Sequence, residues 1–215
     1  MQFDIVIPTL LESVNEQLRD YCLYDHLKST IDFWNLRPRG LFHETVSLII
    51  SQKIRLSLSR KIRADLYKIL GTNILTFDNI RLVPYERLIS IGFTEKLIET
   101  IYCVPRTIDD SLLTIDYFEL YLMELLKIKG VGPWTINGIK VMYNYKNTYL
   151  CNDKYINKNV SLLFEKDLDE IDIEEIWEDC FHENKRNMCM FFWRIKTTSL
   201  VKIRYGHQLT RDDFI

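Results

Sequence analysis

The chain has 215 residues, and 47% of them are hydrophobic, which is enough for the core of one sizeable domain or two small lobes. Its formal net charge of −2 excludes a uniformly basic DNA-binding protein, so any DNA site must be a local patch. No stretch of about 18 apolar residues and no signal-peptide pattern occur, so we expect an intracellular protein without a membrane partner.

Apolar residues recur mostly at helical spacing, which predicts an all-α fold. The opening segment, Phe3 to Pro8, alternates apolar and polar residues and suits one short strand. Three helical patterns are clear, at residues 46–50, 56–66 and 118–126. Breaks are expected where glycine or proline interrupts the pattern, at residues 38–40, 71–73, 84, 92–94 and 105. Thr94 followed by Glu95 predicts a helix start.

Charged residues are unevenly distributed. Basic residues cluster in an early helix and around residues 127–140; they are Lys53, Arg55, Arg60, Lys61, Arg63, Lys127, Lys129 and Lys140. Acidic residues are dense between Glu165 and Glu183, which we interpret as a solvated surface turned away from DNA. The five cysteines and four histidines lack the spacing of a zinc site, so no required cofactor is expected.

A glycine-rich turn separates two helical segments, in the run Lys129-Gly130-Val131-Gly132-Pro133. Both glycines can adopt positive φ angles, and Pro133 suits the first position of the second helix. Backbone N–H groups beside a helix N-terminus form a phosphate site, so the turn, with Thr135 in the following helix, is a candidate DNA contact. The alternative interpretation of these residues alone is an ordinary tight turn.

Ile128 to Thr135, with Trp134 just inside the helix and Asp153 after a Leu150-Cys151-Asn152 segment, resembles the helix-hairpin-helix DNA glycosylase superfamily. Within it, the hairpin is similar to that of the 3-methyladenine DNA glycosylase II branch. Two upstream segments resemble further parts of the same family, in family order. These segments are Phe42 to Arg55 and Leu88 to Leu97.

The resemblance implies one glycosylase domain over residues 1–215, built from two helical lobes. It would contain a wedge-bearing region at about 42–105, a hairpin and catalytic region at about 115–160, and C-terminal helices at 161–215. Only 41 residues precede residue 42 in this sequence, so we do not expect the separate β-rich domain of the bacterial relatives. The four-cysteine iron–sulfur loop of other superfamily members is absent from the sequence.

The resemblance also assigns roles to individual residues. Lys53, after the Ser51-Gln52 pair, occupies the position of the family's wedge residue, and its aliphatic stem could enter the base stack; an equally weighted alternative is a phosphate contact only. Gln52 and Arg55 are further candidate DNA contacts. Asp153 occupies the position of the catalytic aspartate, where a carboxylate stabilises the positive charge on the sugar during base release. A helix N-cap is the alternative role of Asp153, and the two can coexist. Relatives also hold a monovalent cation on hairpin backbone carbonyl groups, and the resemblance implies a candidate site for it on the backbone of Ile128 and Gly130.

Base selection and strand cleavage depend on other positions. Bifunctional members carry a Schiff-base lysine two residues after the second hairpin glycine, where this chain has Trp134, so a monofunctional enzyme is expected. Lys154 is the spare amine that would alter this prediction. Trp134 would stack on a cationic alkylated purine, although core packing is its alternative role. Aromatic pocket residues of the bacterial enzyme are matched here by Gly138 and Lys154, and the second wall would come from Tyr155, Trp193 or Phe192.

The resulting prediction is a base-excision-repair glycosylase for 3-methyladenine and 7-methylguanine type lesions that binds damaged double-stranded DNA as a monomer. Within enzymes, the alternative is a glycosylase for oxidised or deaminated bases. From other classes, the alternatives are a non-catalytic helix-hairpin-helix DNA-binding protein, which would not need Asp153, and a partner-binding helical protein that uses the hairpin only as a turn.

Overall fold

A computed structural model describes residues 38–52, 54–150, 152–164, 172–179, 181, 185–200 and 211–213. Its α-helices are α1 (Leu41–Ser51), α2 (Leu56–Leu70), α3 (Phe77–Arg81), α4 (Tyr85–Ser90), α5 (Glu95–Thr107), α6 (Phe118–Leu126), α7 (Pro133–Met142), α8 (Lys154–Phe164), α9 (Ile173–Asp179) and α10 (Lys185–Arg194). Short 3-10 helices occur at Asp110–Leu112, Ile115–Tyr117, Thr197–Ser199 and Arg211–Asp213. The all-α prediction is confirmed for these residues. The strand expected at Phe3 to Pro8 lies outside them.

The chain divides into two compact units. The hairpin unit comprises Pro38–Tyr143, with α1 to α7. The aspartate unit comprises Met1–Arg37 and Asn144–Ile215, with α8 to α10 among its described residues. The subdivision expected near residues 105, 115 and 160 remains a prediction. No helix in the described part of the chain is both long and apolar enough to cross a membrane.

Helix α1 is the centre of the hairpin unit. Residues 41–50 are all buried, as expected of a helix that packs on every side. Helix α7 lies against it at Gly138, where a Cβ atom would come within 2.9 Å of Leu48 Cδ2. Gly138 therefore permits close helix packing. The alignment of Gly138 with an aromatic pocket position of the bacterial enzyme remains a prediction.

Helix boundaries largely follow the sequence. The Thr94 hydroxyl caps α5 by accepting a hydrogen bond from Leu97 N at 3.3 Å, as predicted. The expected break at Pro105 is wrong, because α5 continues through it to Thr107. So close to the helix end, proline removes one backbone hydrogen bond without preventing the last turn. Arg81 Nη2 also donates to the Pro105 carbonyl at 2.5 Å, which satisfies an oxygen near the helix end.

Apolar patterns overstate how much of α2 and α6 is buried. Leu58, Leu120 and Leu126 are exposed by 46%, 42% and 50%. Both helices bury one stripe: α2 through Ile62 and Leu66, and α6 through residues including Tyr121 and Leu125. Single exposed leucines are normal on protein surfaces.

The aspartate unit has an aromatic core. Trp177 of α9 contacts Phe181 with a 4.8 Å ring separation and Phe192 of α10 with a 6.2 Å separation. Asn159 of α8 joins this core by donating to the Phe192 carbonyl at 2.8 Å. Phe192 is fully buried, so it is a packing residue. That burial disfavours it as a wall of a base pocket.

Candidate DNA-binding and catalytic site

The hairpin connects α6 to α7 as predicted, and α7 begins at Pro133 with Gly132 as its N-cap. Gly130 has a φ angle of +100°, in the region that favours glycine. Gly132 has φ −132° and ψ −177°, which is extended backbone. Of the two glycines that can adopt positive φ, only Gly130 does so, and the chain reverses there.

The hairpin N–H groups differ in what they contact. Val131 N donates inward to the Ile128 carbonyl at 3.0 Å, and the Val131 side chain is buried. The N–H groups of Gly130 and Gly132 have no acceptor among the described residues. They lie next to the N-terminus of α7, whose dipole favours an anion. These two amides can therefore receive a phosphate, whereas Val131 anchors the turn.

Helix α5 supports the hairpin through Thr100. Its Oγ1 lies 3.2 Å from the Lys129 carbonyl oxygen and 2.9 Å from that of Lys96. A Cβ atom on Gly130 would meet the same Oγ1 at 2.4 Å. Sequence reasoning missed Thr100, and no local pattern marks it, because the contact joins segments 29 residues apart.

The end of α1 is joined to the first turn of α7. Gln52 Nε2 donates to Thr135 Oγ1 at 2.5 Å, and Thr135 is fully buried. Direct DNA contact by Thr135 remains a prediction; its hydroxyl oxygen accepts the hydrogen bond from the Gln52 side chain. Arg55 is exposed as the N-cap residue of α2, and Lys53 lies outside the described residues.

Charge around the hairpin is mixed. Lys129 is exposed. Lys127 forms a 2.5 Å ion pair with Glu124, so part of its charge is already balanced. Lys140 is half-buried on α7. The positive charge available to a phosphate at the hairpin is therefore small, and the backbone amides carry more of the site.

Asp153 is the N-cap of α8. Its Oδ1 accepts hydrogen bonds from Tyr155 N at 2.9 Å and Ile156 N at 3.0 Å, and the residue is 9% exposed. The capping role of Asp153 is confirmed. Two backbone donors on one oxygen fix the orientation of the carboxylate, which is what an electrostatic catalyst requires.

The three aromatic pocket candidates belong to different units. Trp134 is half-buried in the first turn of α7, in the hairpin unit. Tyr155 and Trp193 are half-buried in the aspartate unit. The Tyr155 hydroxyl donates to the Ile195 carbonyl at 2.5 Å, which ties α8 to the segment after α10. A shared base pocket of these residues remains a prediction.

Metal ligation by side chains has no candidate in the described ranges, where no group of three or more His, Cys, Asp or Glu residues comes together. The cation predicted on the backbone of Ile128 and Gly130 is a different kind of site and remains a prediction. Ile128 O already accepts the Val131 N–H, which leaves this oxygen one lone pair for a cation.

No protein-family model and no curated protein sequence matches the chain. Solved structures do match. A 3-methyladenine DNA glycosylase from Archaeoglobus fulgidus aligns over 88% of this chain and 69% of its own, with 18% identity and a TM-score of 0.63. A DNA-3-methyladenine glycosidase from Bacillus halodurans aligns over 96% and 94%, with 16% identity and a TM-score of 0.61.

An 8-oxoguanine glycosylase/lyase from Clostridium acetobutylicum, in complex with double-stranded DNA containing cytosine opposite 8-oxoguanine, is also similar. It aligns over 89% of this chain and 74% of its own, with 16% identity and a TM-score of 0.56. These similarities show that the chain has the fold of helix-hairpin-helix DNA glycosylases.

Proposed function

We propose that this protein is a DNA glycosylase that excises alkylated purines from duplex DNA and leaves an abasic site. One observation carries the proposal: in a chain with a glycosylase fold, the predicted catalytic position holds an aspartate oriented by two backbone N–H groups. The alkylated class is supported by the 3-methyladenine enzymes among the similar structures.

The hairpin would hold the DNA backbone. The N–H groups of Gly130 and Gly132 would donate to phosphate oxygens, with Lys129 adding charge. Gln52 and Arg55, with Lys53 between them, would contact the duplex where the damaged nucleotide leaves the stack. Rotating the base out costs a few kcal/mol, less for a damaged base, and such contacts offset that cost.

Asp153 would stabilise the transition state. As the bond between the base and C1′ breaks, positive charge develops on C1′ and O4′, and a nearby carboxylate lowers the energy of that state. The base departs with the bonding electron pair, and water then bonds to C1′ and releases its proton to the solvent. Trp134 would stack on one face of the flipped purine, whose positive charge favours aromatic ring faces, and Tyr155 or Trp193 would supply the second wall.

Strand cleavage is not part of the proposed reaction. A lyase needs an amine that attacks C1′, and the position used by bifunctional relatives is Trp134 in this chain. Lys154, which is exposed beside Asp153, is the amine to test. A monovalent cation, when held by the carbonyl oxygens of Ile128 and Gly130, would add positive charge to the phosphate site.

The proposal is tested by base release from methylated duplex DNA, with strand integrity read before and after mild alkali. We expect methylpurine release by the wild-type protein, nicks only after alkali, and loss of release in Asp153→Asn. Asp172→Asn is the matched control, because Asp172 Oδ1 also caps a helix, accepting from Glu175 N at 3.1 Å. Duplex binding without release would favour a binding protein.

A second candidate is a glycosylase for oxidised bases, favoured by the similarity to the 8-oxoguanine enzyme. The same assay with a duplex carrying 8-oxoguanine opposite cytosine distinguishes the two. Release of 8-oxoguanine would show that oxidised bases, rather than alkylated purines, are the substrates. Nicks present before alkali would show that the protein is also a lyase. The Lys154→Gln variant would then show whether Lys154 is the amine.

A further inference from the structure

We propose that Thr100 is a positioning residue that aims the Gly130 N–H at a DNA phosphate. The inference rests on the proposed function, since it concerns how the hairpin holds DNA. Thr100 lies on α5, outside the hairpin, and it is 5% exposed. It cannot reach a phosphate itself, so its effect on DNA would be transmitted through the hairpin backbone.

The Thr100 hydroxyl lies between two carbonyl groups. Its Oγ1 is 2.9 Å from Lys96 O, the usual contact of a helical threonine with the residue four positions earlier. It is also 3.2 Å from Lys129 O in the hairpin. A hydroxyl has one proton, so the two carbonyl groups share it. Thr100 therefore fixes the Lys129 carbonyl as well as its own helix.

That contact determines where the next N–H points. The Lys129–Gly130 peptide is trans, since no cis peptide occurs in the described chain, and in a planar trans peptide the C=O and N–H directions are opposite. Because Lys129 C=O points toward Thr100, Gly130 N–H points away from α5. Gly130 is exposed, and its N–H has no acceptor among the described residues, so this donor is available to a phosphate.

Contact between the two residues is close. A Cβ atom on Gly130 would lie 2.4 Å from Thr100 Oγ1 and 3.1 Å from its Cγ2. The Gly130 backbone therefore rests directly on the threonine side chain, and residue 130 must be glycine for space as well as for its φ of +100°. A rotation of this peptide that redirected the amide would require the Thr100 contact to break.

Three variants test the proposal: Thr100→Val, which removes the hydroxyl but keeps the shape; Thr100→Ser, which restores the donor; and Thr107→Val, an exposed control on the same helix. Thr100→Val should bind an undamaged duplex roughly fivefold to tenfold more weakly than the wild-type protein, because it loses one correctly aimed hydrogen bond to DNA. The affinity should change by a larger factor than the rate of base release at saturating DNA, which is the split expected of a residue that acts on binding. Thr100→Ser and Thr107→Val should bind as wild type does.

Wild-type binding by Thr100→Val, with an active wild-type protein, would overturn this inference and leave the proposed function intact. A wild-type protein that neither binds duplex nor releases a base would overturn both. If Thr100→Val also lowers the melting temperature, Thr100→Ser decides: the serine variant must recover binding, and its failure to do so with normal stability would refute the positioning role.

Discussion

At the N-terminus of α8, one side chain has both a structural role and a proposed chemical role. Asp153 Oδ1 accepts from the N–H groups of Tyr155 and Ile156, so it satisfies donors that the helix cannot satisfy itself. Catalysis needs the negative charge of the carboxylate, whereas capping needs only an acceptor oxygen. The two roles therefore respond differently to substitution by asparagine.

We expect Asp153→Asn to leave the free energy of unfolding within a few tenths of a kcal/mol, because asparagine and aspartate cap equally well. Asp153→Ala should lower it by about 1 kcal/mol. Both variants should lose base release. Urea unfolding beside the release assay measures the two effects, with Asp172→Ala as a control that affects capping alone. Equal destabilisation by asparagine and alanine would contradict this separation.

Prediction from sequence worked best where the determinants are local. The helix start at Pro133 and the cap at Asp153 follow from residues a few positions apart. Thr100 and the Gln52–Thr135 hydrogen bond were not foreseen as contacts, because their partners are 29 and 83 residues away. Periodicity places a residue on a helix face, but it does not say which distant side chain meets that face.

Among the elements, Gly138 and Pro105 show the same limit. A lone glycine within a helical pattern lowers helix propensity, yet Gly138 lets α7 approach Leu48 of α1 closely. Proline reads as a helix break, but a proline in the last turn of α5 is tolerated. In both cases the tertiary position of the residue, rather than its intrinsic propensity, determines its effect.

Helix α1 holds the segment between α2 and α3 through a buried histidine. His43 Nδ1 accepts a hydrogen bond from Leu75 N at 3.1 Å, and the ring stacks on Tyr67 at 6.0 Å. Burial, together with the charges of Arg39 and Arg63, lowers the pKa of His43 from 6.5 to about 4. Protonation of Nδ1 would remove the acceptor that Leu75 uses.

Stability should therefore fall as the pH decreases from 6.5 toward about 4, because the unfolded chain takes up the His43 proton first. Above pH 6.5 this contribution is fully present. We expect His43→Asn, which keeps an acceptor near the Nδ1 position but does not titrate, to show a shallower loss. Urea midpoints across this pH range measure the difference; parallel curves for the two proteins would rule out His43 as the source.

For the whole molecule, fold and charge carry different information. The fold matches DNA glycosylases at only 16 to 18% identity, so the backbone arrangement is shared although most side chains differ. Net charge is −2, so attraction between the whole molecule and DNA is weak. Binding should then depend on a few local contacts. The dependence of affinity on ionic strength gives the number of phosphates that these contacts neutralise.

The duplex association constant should fall as the salt concentration rises. In a plot of their logarithms we expect a slope of about −2 to −4, which corresponds to two to four neutralised phosphates. Lys129→Gln should make the slope shallower by about one, because the exposed lysine beside Gly130 would release one counterion on binding. Lys68→Gln is the control, since Lys68 is paired with Asp65 at 3.1 Å, and should leave the slope unchanged. Anisotropy titrations at several salt concentrations measure all three. A slope of about −10 would indicate a broad basic surface instead, and an unchanged slope for Lys129→Gln would remove this lysine from the phosphate contacts.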